Sequence, residues 1–223
     1  MLRLTVSAAT LTVAAVASIV IFHPGKGWAE PRMASNAATS IQGKARYAVD
    51  PMHCSVGFEI THLGLSKVMG LFDECSGTIH FDEKDLTKST VEFTVKVSSI
   101  DTGVTARDEH LKKADFFDVE KYPEMKFVSK EVKRVGQGYV VIGDLTMKDK
   151  TKTISIPFKH YGPLKLTIGG EETRIGVIAD PITVRRSDFG IGNQFKLPDG
   201  TEGASDVVTV RLSFEAILQK IEG

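Results

Sequence analysis

The sequence predicts an all-β fold: about eight antiparallel strands closed into a barrel, with one short helix in a connection between strands. Three observations carry this reading. From Arg46 onward apolar and polar residues alternate with period two, turn residues separate the alternating runs, and one charged stretch, Thr102 to Pro123, breaks the pattern. Alternation of this kind marks strands with one face buried and one in water, the habit of antiparallel sheets. Eight strands suffice for a sheet to close on itself and lose its edges; such a barrel either fills its interior with side chains or keeps room for one small ligand. A two-sheet sandwich is the alternative.

The first elements lie outside the fold. Met1-Leu2-Arg3 is a short basic start, Leu4 to Phe22 is uncharged and mostly apolar, and Gly27-Trp28-Ala29 places small residues at −3 and −1 of a cleavage site. Residues 1–29 are therefore expected to be a secretory signal cut after Ala29, which makes the protein periplasmic or secreted. An uncleaved anchor is the rival reading, because Leu4 to Phe22 is just long enough to cross a bilayer. Cleavage removes Arg3 and Lys26 and no acid, leaving 26 basic and 28 acidic residues and a net charge of −2. That balance points away from nucleic acid and from electrostatic retention at anionic membranes, and no stable membrane insertion is expected after cleavage. Residues 30–45 are small and polar and are expected to be a disordered leader; the folded domain is expected over 46–220.

Within the domain, Val91, Phe93, Val95 and Val97 alternate with Glu92, Thr94 and Lys96, and Val208, Val210, Leu212 and Phe214 alternate with Arg211, Ser213 and Glu215. Similar runs occupy roughly 54–61, 66–81, 123–134, 138–148, 151–161 and 172–186, bounded by Gly136-Gln137-Gly138, Lys148-Asp149-Lys150, Gly162-Pro163 and Gly169-Gly170. The break from Thr102 to Pro123 holds nine charged residues and the adjacent pair Phe116-Phe117. It reads as a short helix over Thr102 to Lys113, capped near Asp101-Thr102 and lying over one end of the barrel. Pro123 then resets the chain for the next strand. Leu111, Phe116 and Phe117 would turn inward, either as a plug beneath the connection or as a wall of the interior. Arg107 and Asp108 would form an ion pair holding the connection.

The two cysteines lie on a predicted hairpin. With Gly64-Leu65 as a two-residue turn, opposed residues have numbers that sum to 129, and Cys54 and Cys75 meet that condition. Directly opposed residues come within bridging range, and secretion supplies an oxidising compartment, so a Cys54–Cys75 disulfide is expected. A slip of one residue in register would leave two buried thiols instead.

Catalytic and metal chemistry find little support. The histidines of the mature chain, at 53, 62, 80, 110 and 160, form no tight metal spacing, and nine residues along a strand put His53 and His62 on opposite faces. Asp188-Phe189-Gly190 matches a kinase tripeptide but has no nucleotide loop or catalytic loop beside it, and no G-x-S-x-G elbow occurs. No catalytic residue, metal ligand or cofactor site is expected, and the protein is read as a non-enzyme.

A series of motifs spans the whole mature domain: Tyr47-Ala-Val-Asp50-Pro-Met-His53, Phe58-Glu-Ile-Thr-His62 and Val68-Met-Gly70-Leu-Phe72, then Ser99-Ile100-Asp-Thr102-Gly103 with Arg107-Asp108-Glu-His110-Leu111. It continues through Asp115-Phe116-Phe117-Asp118-Val119, Tyr122-Pro123, Phe127, Gly143-Asp144-Leu145-Thr146, Arg186-Ser-Asp188-Phe189-Gly190 and Val207-Val-Thr-Val210. In these motifs the chain resembles the YceI-like family, lipocalin-like secreted bacterial proteins of the polyisoprenoid-binding type. Cys54, where the family typically has a serine or another small residue, is a local departure that points to an added bridge.

The resemblance implies an eight-stranded antiparallel lipocalin-like barrel with a long apolar channel. The ligand it implies is a polyisoprenoid, an isoprenoid quinone or a fatty-acyl chain. Each buried methylene is worth about 0.8 kcal/mol, so a long chain binds strongly without specific polar contacts. On that reading Phe58, Phe93, Phe116, Phe117, Phe127, Phe189 and Phe214 face the ligand, while Arg107, His110 and Arg186 are head-group candidates. An exposed aromatic mouth would leave room for a homodimer. Two other functions stand beside the carrier: an envelope stress or interaction protein with a filled barrel, and an enzyme on a lipid or quinone precursor using His53, His62 or His110.

Overall fold

The structure is a computed structural model and describes residues 44–167 and 170–222. The expected signal at 1–29 and nearly all of the leader at 30–45 lie outside the described residues, as does Gly169 of the expected Gly169-Gly170 turn. Among the described residues eleven strands form one antiparallel sheet: β1 (Lys44–His62), β2 (Ser66–Phe72), β3 (Cys75–Asp82), β4 (Thr90–Lys96), β5 (Ile100–Asp101), β6 (Glu124–Val135), β7 (Gly138–Met147), β8 (Lys150–Leu166), β9 (Glu172–Ala179), β10 (Ile182–Arg185) and β11 (Ala204–Glu222). Helix α1 (Thr105–Leu111) lies between β5 and β6. The strands thus run slightly past the expected domain limits of 46–220.

Pairing of β11 with β1 closes the sheet, and the eleven strands make eight staves. Three staves are broken in the middle. β2 and β3 lie end to end along the two halves of β1, interrupted at Asp73-Glu74. β4 and β5 follow them across the 3-10 turn Val97–Ser99. β9 and β10 lie end to end along β11, interrupted at Asp180-Pro181. The alternating runs read from the sequence are these staves, which is why run 66–81 is two strands and run 172–186 is another two. Closure satisfies backbone groups that an open edge would expose.

The disulfide is present, but the register behind its expectation is not. Cys54 and Cys75 are bonded with their Cα atoms 6.3 Å apart. The β1–β2 hairpin pairs His62 with Ser66 and Val56 with Phe72, one residue out from the expected register. Its turn has three residues: Leu63 and Gly64 take φ values of 51° and 67°, and Leu65 N donates to the His62 carbonyl at 3.0 Å. Two consecutive positive φ angles are the signature of a primed turn, whose twist suits paired strands. Continued unbroken, this register would set Cys54 against Glu74. The break at Asp73-Glu74 and a shift in β1 between Val49 and Cys54 take up the extra residue and bring Cys75 to Cys54.

Inward-facing residues alternate along each stave, as in Val56, Phe58 and Ile60 on β1 and Ile154, Ile156 and Phe158 on β8. Gly143, at an inward position of β7, is required by packing: a Cβ there would stand 2.5 Å from Cζ of Phe127. The gap lets the Phe127 ring lie across the neighbouring strand.

Candidate ligand-binding cavity

The barrel is hollow. Its interior encloses a cavity of about 640 Å³, within the range of small-molecule sites, lined by residues from every stave. It runs from the α1 end, where His62, Arg107, His110 and Phe117 stand, to the end under the 3-10 turn Leu86–Lys88, where Leu86, Phe158 and His160 stand. Its walls are chiefly Val, Ile, Leu, Met and Phe. Phe58, Phe93, Phe127 and Phe214 all line it; Phe93 and Phe214 meet with ring centres 5.5 Å apart.

The α1 end is built from the charged stretch. The helix starts three residues later than expected, with Val104 as a cap that makes no side-chain bond. Asp101 Oδ1 instead accepts from Gly103 N at 2.7 Å. Thr102 is the hub: its backbone N and its hydroxyl donate to Asp108 Oδ1, while Arg107 donates from Nε to Thr102 Oγ1 at 2.7 Å and from Nη2 to the Thr102 carbonyl at 2.8 Å. Arg107 and Asp108 therefore meet through Thr102 and not as the expected ion pair. Nη1 of Arg107, a cavity-lining residue, keeps no hydrogen-bond partner among the described residues.

After the helix, backbone bonds from Phe117 N to the Leu111 carbonyl and from Asp118 N to the Lys113 carbonyl curl the chain. Lys148, from the β7–β8 turn, donates to the Phe116 carbonyl at 2.8 Å. Phe116 and Phe117 both line the cavity and form part of its wall at this end. Phe117 packs edge-on to Phe72, and Phe116 to His110 at 4.9 Å. The imidazole of His110 also stands 3.3 Å from Asp115 Oδ2 and is largely in solvent.

Two expected ligand residues have other work. Arg186 is buried and donates to four carbonyls: Nε to Ser205, Nη1 to Ile191 and Asn193, and Nη2 to Ala204. It fastens segment 191–205 to the barrel, and a guanidinium spent on backbone has little left for a head group. Phe189, 1% exposed, is packed in the core and does not line the cavity. The cavity also takes residues that the sequence reading did not assign to the ligand: Phe72, Phe81, Phe158, His160 and Phe195. Phe158 and His160 continue the period-two pattern of β8 and are legible on that ground. Phe195, 58% exposed at the α1 end, sits in an irregular segment with no periodic signal.

The outer wall carries a separate charged cluster. Arg174 on β9 donates from Nη1 to Asp50 at 2.6 Å and to Glu215 at 2.8 Å, and from Nε to Glu172 at 2.7 Å. His53 Nδ1 lies 2.7 Å from Asp50 Oδ2. Burial pushes the Asp50 carboxyl up, but hydrogen bonds from His53, Arg174 and Met52 N outweigh it and hold the pKa at about 2. Asp50, His53 and Glu215 could together ligate a metal ion, but the guanidinium of Arg174 already supplies their cation. His53 thus faces outward while His62 lines the cavity, on opposite faces as their spacing requires.

Comparison with known proteins agrees with this architecture. The YceI-like domain profile matches residues 47–216. Protein YceI of Escherichia coli O6:H1 is 34% identical over 185 residues, which cover 83% of this chain and 92% of that protein. BcnA of Burkholderia cenocepacia superposes with a TM-score of 0.64 at 22% identity, covering 75% of this chain and 98% of BcnA. A polyisoprenoid binding domain from Saccharophagus degradans, implicated in plant cell wall breakdown, superposes with a TM-score of 0.57 at 14% identity, covering 78% and 98%.

Proposed function

We propose that this chain, which belongs to the YceI-like domain family, is a non-catalytic carrier that holds one long apolar lipid inside its barrel. The observation that carries the reading is the apolar cavity of about 640 Å³ running between the two ends of the barrel. Burial of an alkyl or isoprenoid chain there draws on the hydrophobic effect along its whole length, at about 0.8 kcal/mol per methylene. A polyisoprenoid, an isoprenoid quinone and a fatty-acyl chain all meet that requirement, and the neighbour described as a polyisoprenoid binding domain supports the first of them. The free Nη1 of Arg107 would meet an anionic head at the mouth, with His110 beside it. The disulfide is of the kind that persists in an oxidising compartment and so supports a periplasmic or secreted carrier. No helix among the described residues is long and apolar enough to cross a membrane. The cavity weighs against the filled-barrel interaction protein.

The reading is tested by titrating purified protein with N-phenyl-1-naphthylamine, a neutral apolar fluorophore, and displacing it with palmitate or farnesol. Saturable uptake at one site, lost when Val177→Trp fills the cavity beside His160, is the expected result. Absence of saturable uptake by the wild-type protein would overturn it.

A further inference from the structure

The end of the cavity away from α1 contains a titratable side chain that no structural bond explains. His160 projects from β8 at the last inward position before the chain bends at Gly162-Pro163. It is flanked by the rings of Phe81, centre to centre at 6.0 Å, and Tyr139 at 5.6 Å, with Phe158 two residues earlier on the same face. Neither imidazole nitrogen has a hydrogen-bond or ion-pair partner among the described residues. Ser89, nearby in the lining, already accepts from Asp82 N at 2.9 Å, and Thr90 and Asp180 are exposed at the outer margin.

A half-buried imidazole among aromatic rings costs stability unless its nitrogens are satisfied. The positions before it on β8, Ile154, Ile156 and Phe158, show what the wall needs for packing alone: an apolar side chain. Burial also holds the His160 pKa below its ordinary value, so the ring is neutral at neutral pH and offers one donor and one acceptor. A neutral ring in apolar surroundings suits an uncharged oxygen and not a phosphate or carboxylate. Those belong at the other end, beside Arg107.

We propose that His160 reads the inner end of the ligand, selecting long apolar chains that carry a neutral hydroxyl or carbonyl oxygen there over plain hydrocarbon chains. The inference rests on the carrier reading and refines it: the channel recognises polarity at both ends, a charged or solvated group at the α1 mouth and a neutral oxygen within the aromatic box.

The test compares hexadecan-1-ol with hexadecane, both delivered from cyclodextrin, as displacers of N-phenyl-1-naphthylamine. The wild-type protein is expected to prefer the alcohol by about tenfold, the worth of one desolvated hydrogen bond. His160→Phe should bring the two affinities within twofold of each other while keeping or raising the Tm, since it removes an unpaired polar group. His160→Gln, which keeps a donor and an acceptor, should retain the preference and serves if the Phe variant folds poorly. An unchanged preference in His160→Phe, or its loss in His160→Gln, would overturn the role of His160 and leave the carrier reading standing. Failure of the wild-type protein to bind either chain would overturn both.

Discussion

Arg107 and Arg186 stand at the same end of the barrel and line the same cavity, yet the chain uses them in opposite ways. Arg186 gives its donors to four backbone carbonyls of segment 191–205, so its charge is enclosed by structure. Arg107 gives Nε and Nη2 to one residue, Thr102, and its Nη1 has no hydrogen-bond partner among the described residues; on the carrier reading proposed above, that donor is open to a head group. A basic residue facing a cavity is therefore evidence of binding only when a donor is left over.

The contrast is broken most directly at Arg186. Arg186→Met should destabilise the barrel by about 3–5 kcal/mol, because several buried carbonyls lose their donor together. Urea unfolding measures this, and a loss below about 1 kcal/mol would show that Arg186 is not the fastener described. Removal of the disulfide comes next in size. Cys54→Ser with Cys75→Ser should cost about 2–4 kcal/mol, as expected for a closed loop of this size, while affinity for an apolar chain at 25 °C stays within twofold.

The outer cluster adds a pH dependence with a defined sign. The Asp50 carboxyl is held at about 2 in the folded chain against an ordinary 3.8, so its contribution is complete above the unfolded value and is lost as pH falls from about 4 toward 2. At about 1.4 kcal/mol per pH unit this amounts to about 2 kcal/mol. Acid unfolding of the wild type beside Asp50→Asn should show that loss only in the wild type. The smallest effect on stability is at Arg107: Arg107→Met should cost no more than about 1 kcal/mol, yet weaken binding of palmitate relative to its methyl ester by about tenfold. A large loss of stability with unchanged discrimination would make the two arginines alike.

Most of the barrel is legible in the sequence because alternation reports directly which residues share a face. The eight staves follow from it, as do the inward placements of Phe58, Phe93, Phe127 and Phe214. What alternation cannot report is where a stave is broken. The hairpin register that predicts the Cys54–Cys75 bridge is one residue out, and the bridge forms because the break at Asp73-Glu74 absorbs that residue. Nor does alternation distinguish a hollow barrel from a filled one, since both present apolar residues inward; the difference lies in the barrel's width, which strand number and stagger set, and in the volume of the inward side chains.

Residues outside the alternating runs are the hardest to place. The charge of Arg186 suggests a head-group contact, but its role depends on carbonyls of a segment up to nineteen residues away in sequence. Phe195 belongs to that same irregular segment, which Arg186 and the 3.1 Å bond from Leu63 N to the Gly203 carbonyl hold against the barrel. The helix starts late because Thr102, which has the residue type of a cap, is instead the hub for Arg107 and Asp108.

Whether the hollow interior is a lipid site is tested most directly by mass spectrometry of an organic extract from natively purified mature protein, beside a heat-washed control. A stoichiometric isoprenoid or fatty-acyl species in the extract, depleted in the control, is the expected result. An empty extract, together with no uptake of added long-chain lipid, would contradict the carrier reading.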